Sequence, residues 1–133
     1  MRILRWISFL PASFIFGYLA YLVGGTLNNL SITLFTGSPP AGWIKVASDV
    51  MAHMYMGAAC TYAGVKIAPA HPKLVAVGIF AIQLIFAGAS IWSSFVIYAI
   101  PTVLGLLFGG VVLLIATIAG EIRPYGDVCA ERG

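Results

Sequence analysis

Charge is what this chain has least of. Of its 133 residues, only seven are Lys or Arg and four are Asp or Glu. That is 8%, against about 25% in an ordinary soluble domain. Eleven charges cannot cover the surface of a soluble globule, so a soluble enzyme is excluded. A disordered chain is excluded too, because such chains are polar and charge-rich. The net charge of +3 is small and scattered, which leaves no phosphate-binding patch and hence no nucleic-acid partner. Cysteine is scarce as well. Cys60 and Cys129 stand far apart and form no Cys-x-x-Cys pair. The chain also lacks a Ser-His-Asp set, a glycine-rich phosphate loop and a pair of carboxylates within an apolar run. Nothing in it assembles a catalytic constellation, so the expectation is a protein that is not an enzyme and has no cofactor.

What is present in excess is apolar sequence. Hydrophobic residues make up 61% and the mean hydropathy is +1.02. They fall into four runs: 7–27, 46–67, 74–92 and 96–120. A bilayer core of about 30 Å needs about 20 helical residues, and each run is close to that length. The runs are continuous rather than alternating, which argues against a transmembrane β-barrel. The predicted fold is therefore an all-α integral membrane protein, a single four-helix transmembrane bundle over 1–133. Its helices are expected at about 6–28, 45–67, 73–92 and 95–120. An outer loop is expected at about 29–44 and a tail at 121–133. The first run continues to Leu27 with no small-residue cleavage site after a short core, so it reads as an uncleaved first helix.

Basic residues orient the bundle. With four spans, Arg2, Arg5, Lys66, Lys73, Arg123 and Arg132 lie on one side and Lys45 on the other. Both termini are therefore expected in the cytoplasm of a multi-pass cell-membrane protein, of the bacterial inner-membrane type. Trp6 and Tyr125 would mark the inner interface, and Trp43 and Trp92 the outer one. Pro69 and Pro72 mark the inner turn, Pro39 and Pro40 the outer loop, and Ser93 and Ser94 a tight last connection.

Two kinds of face emerge from helical spacing. Small and polar residues form candidate helix–helix interfaces. They are Ser13, Gly17, Tyr21, Gly24 and Asn28 on the first helix, and Gly105, Gly109, Ala116 and Gly120 on the fourth. Such residues let backbones approach closely in lipid, either within the bundle or between subunits. The second helix carries the polar chemistry. Lys45, Asp49, His53, Met56 and Cys60 fall within roughly an 80° arc at 100° per residue. His53 lies about 10 Å below Val46, within hydrocarbon depth. Ionisable groups there face the protein interior and pair. Lys45 can pair with Asp49, and the Asp49 carboxylate can accept from the His53 ring. Asp49 and His53 can instead reach Tyr21 or Asn28.

The stripe leaves three functional readings open. The first is a non-catalytic packing or accessory subunit of a larger membrane assembly or a homo-oligomer. Its partners would be the lipid bilayer and other membrane subunits or itself. The second is a homo-oligomeric channel or proton or ion conductor using the Lys45–Asp49–His53 stripe. The third is a haem- or copper-binding redox subunit through His53, with Met56 or Cys60 as soft ligands.

Overall fold

A computed structural model of the chain describes residues 2–68, 71–93 and 96–122. The chain is all-helical there: α1 spans Arg2–Thr36, α2 Gly42–Ile67, α3 Pro72–Ser93 and α4 Val96–Ile118. The tail from residue 123, with Tyr125 and Cys129, and Pro69 and Ser94 lie outside the described residues. Three helical stretches are long and apolar enough to cross a membrane: Ile7–Thr36, Pro72–Ala89 and Ala99–Ile118. The second helix is not one of them, because Lys45, Asp49, His53 and Lys66 dilute its apolar character.

The largest departure from the sequence reading is the end of α1. A loop was expected from residue 29, yet the helix runs on to Thr36 and the connection shrinks to residues 37–41. Polarity misleads here because most of these polar groups bond back along the helix or across to α2. Thr26, Thr33 and Thr36 donate their hydroxyls to the carbonyls of Leu22, Asn29 and Ile32, each four residues back. Asn28 donates to Ser48, and Ser48 donates to Asn29. What stops the helix is Gly37, at φ 72°, followed by Ser38-Pro39-Pro40. At 35 residues α1 is about 52 Å long, well beyond a bilayer core.

Gly120 is a second correction. It does not sit on a packing stripe but ends α4. At φ 84° it donates to the Thr117 carbonyl, while Glu121 donates to that of Ala116. This paired pattern is a Schellman cap, and a left-handed residue is what it requires.

Glycines of α1, α2 and α4 set how the helices meet. On the α1–α2 seam, Gly17 faces Cys60 and Met56, Gly24 faces Tyr55, Gly25 faces Ala52, and Ser13 lies against Gly64. These pairs run in opposite directions along the two chains, so α1 and α2 are antiparallel. On the α2–α4 seam, Gly105 faces Val50 and His53, Gly57 faces Leu106 and Gly110, and Gly109 faces Met54 and Ala58. Here both sequences rise together, so α2 and α4 are parallel. Across α2–α3, Gly64 meets Ile79, and Gln83 meets Gly57 and Thr61, again antiparallel. The helices thus alternate in direction. The second helix packs against all three others, whereas α1 packs along α2 and touches the rest only lightly. So α2, the least apolar helix, is the centre of the bundle. Of the expected interface residues, Ala116 is half-buried and contributes mainly its carbonyl to the α4 cap.

Candidate functional site

The polar face of α2 divides into an outer part and an inner part. Lys45 and Asp49 stay outside: Lys45 Nζ is 4.0 Å from Asp49 Oδ2, and the two side chains are 64% and 40% exposed. An ion pair that open contributes about 0–1 kcal/mol at most. The expected bond from the His53 ring to the Asp49 carboxylate does not form. The His53 Nδ1 instead lies 2.7 Å from the Asp49 backbone carbonyl oxygen. The cause is the direction of helical side chains, which lean back over the preceding turn and bring the ring onto the carbonyl four residues earlier.

A carbonyl oxygen only accepts, so Nδ1 carries the proton in that contact. In the neutral ring Nε2 is then an acceptor, and the Thr102 hydroxyl on α4 donates to it at 3.2 Å. Tyr21 of α1 covers the ring from the other side, with centroids 4.9 Å apart and planes tilted by 60°. Asn28, the other partner considered for this cluster, is committed to Ser48 instead.

His53, Met56 and Cys60 face a cavity of about 220 Å³ formed where all four helices meet. The first helix contributes Phe14, the third Gln83 and Phe86, and the fourth Thr102 and Leu106. Phe14 and Phe86 form a tilted aromatic pair with centroids 5.7 Å apart. Gln83 is 3% exposed and its amide orientation is determined by its neighbours. Its Nε2 donates to the Gly57 carbonyl at 3.1 Å and to Thr61 Oγ1 at 3.3 Å. Thr61 itself donates to the Gly57 carbonyl. Gln83 Oε1 is therefore left without a donor. It lies over Gly110, whose missing Cβ makes room for it.

Below the cavity the bundle is mostly apolar, with Ser13 and Thr117 bonded back to carbonyls of their own helices. Cys60, Ala68, Val75 and Ile79 form a buried cluster, with Phe9 and Phe14 packed on it. Above it, Ser48, Asp49, Thr26 and Asn29 line a half-open pocket of about 190 Å³ that reaches Tyr21. Polar groups that bond between helices thus extend from the Lys45 end of the bundle to Gln83 and Thr61.

Among the described residues no three His, Cys, Asp or Glu side chains come together as metal ligands. His53 is accompanied only by Met56 and Cys60. The cavity is smaller than the roughly 300–1,000 Å³ of sites for drug-sized ligands. His71 is exposed, far along the chain from this site.

Sequence reasoning missed Thr102, Gln83, Phe14, Phe86 and Leu106. Single polar residues inside apolar runs were the available signal for the first two. Which of them share a depth depends on helix register, and the seams that fix it needed the structure. No family model matches the chain, and no curated protein or solved structure matches it either.

Proposed function

We propose that this is a four-span integral membrane protein that acts as a non-catalytic packing subunit of a larger membrane assembly or of a homo-oligomer. Both termini face the cytoplasm across a cell membrane of the bacterial inner-membrane type. The basic residues at the described turns, Lys66 and Lys73 against Lys45, support that orientation. Insertion of α2 is supported by its register. It lies alongside three membrane-length apolar helices at the same depth.

The observation that carries the reading is the incomplete cover of α1. This helix has one close neighbour, and its Leu19, Leu22, Val23 and Leu27 are exposed. Between α1 and α2 runs an open groove of about 590 Å³ whose floor holds Ala20, Ala58 and Ala59, with Tyr55 over Gly24 and Val23 and Leu27 at its edges. Small residues of this kind admit a further helix backbone, and Asn28 and Ser31 at one end can hydrogen-bond to it. Native mass measurement in mild detergent tests this. The chain should run in a particle holding further protein beyond its own 14.1 kDa, and Ala20→Leu with Ala59→Leu should release it. A wild-type particle containing one chain and nothing else would sink the reading.

The conducting reading has one observation in its favour, the polar pocket beside Asp49 that ends at Tyr21 and His53. In reconstituted vesicles it requires a flux above that of empty vesicles that His53→Ala alters.

A further inference from the structure

We infer that the cavity between the four helices is a binding site for a small neutral aromatic molecule bearing one hydrogen-bond donor, of the phenol class. Size comes first. A protein cavity of about 150 Å³ takes up benzene; this pocket offers about 220 Å³ and opens beside Phe86, which is 56% exposed, so a ring with two or three further non-hydrogen atoms enters from that side. The walls select an aromatic. Phe14 and Phe86 present tilted rings, and Met56 and Cys60 add polarisable sulfur. The polar groups select a donor. His53 Nε2 is an acceptor held only by a 3.2 Å contact from Thr102, long for a hydroxyl donor. Thr102 Oγ1 keeps lone pairs after donating to it. No Lys, Arg, Asp or Glu lines the cavity, so the ligand is uncharged. A hydroxyl entering beside Thr102 can donate to Thr102 Oγ1 or replace its contact to His53. Its ring then rests between Phe14, Phe86 and Leu106.

The full chain in detergent micelles, labelled with ¹³C at the methionine methyl groups, reports on this directly. Met56 lines the cavity, whereas Met51 is 43% exposed on the outside of α2. Phenol should shift the Met56 signal saturably and leave Met51 almost unmoved. Toluene, which has no donor, should need about ten-fold more ligand, the equivalent of one buried hydrogen bond. Leu106→Phe should fill the space and abolish the Met56 response. Thr102→Val, which conserves shape and leaves His53 Nε2 without its donor, should keep or widen the preference for phenol, and loss of that preference would overturn the donor requirement. Equal and unsaturable movement of Met51 and Met56 would show partition into the micelle and overturn the site. Saturable binding with no preference for phenol would overturn the donor requirement. Should Leu106→Phe fail to fold, the Thr102→Val comparison decides.

Discussion

Glycine 109 shows how single residues hold this bundle together. A Cβ at that position would overlap the Met54 carbonyl oxygen and come within 3.0 Å of the Ala58 nitrogen. Backbone atoms cannot swing aside as side chains can, so the α2–α4 seam would have to open. Gly109→Ala should therefore lower stability by about 1–3 kcal/mol. Gly78 and Gly88 of α3 have open space where a Cβ would go. Alanine there should be neutral or stabilise by up to about 1 kcal/mol, as helix propensity dictates. Thermal unfolding in one detergent, followed by circular dichroism, separates the two cases. Equal effects at 109 and 78 would contradict the seam. The same scale explains what was legible in the site. Lys45, Asp49, His53, Met56 and Cys60 share a helix face by arithmetic alone. That His53 would prefer a backbone carbonyl and Thr102 over Asp49 depends on side-chain direction and on the neighbouring helix, neither of which spacing encodes.

At the scale of elements, continuous apolar runs made four helices readable, because runs of about 20 such residues have one stable form in lipid. Ends were harder. Sequence polarity puts the α1 end at Asn28-Asn29, but polarity does not stop a helix when the side chains can bond back or across. Gly37 and the two prolines after Ser38 do stop it. Hydrogen exchange tests the difference. Amides of residues 30–36 should be protected, with those near Asn28 and Asn29 losing protection when Ser48→Ala removes their shared partner. Exchange at residues 30–36 as fast as at Ser38 would contradict a helix reaching Thr36. The α4 end shows the converse: Gly120 looked like one more small residue on a stripe and is instead the cap.

The whole molecule places its most polar helix at its centre. Three apolar helices pack on α2; Lys45 and Asp49 stay exposed at one end of its polar face, while His53, Met56 and Cys60 turn toward the pocket between the helices. That arrangement sets the polar groups of α2 among three helices long and apolar enough to cross a membrane. It also explains why the cavity could not be read from the sequence. Its walls come from four separate runs, and only the glycine seams bring them to one depth. The claim on which the rest depends is that α2 crosses the membrane. Single cysteines at Ser38 and His71, in a chain carrying Cys60→Ala and Cys129→Ser, bracket α2 from its two ends. With a membrane-impermeant maleimide applied to intact cells, the account predicts that Ser38→Cys is labelled directly and His71→Cys only after the membrane is opened. Labelling of both from the same side would contradict it.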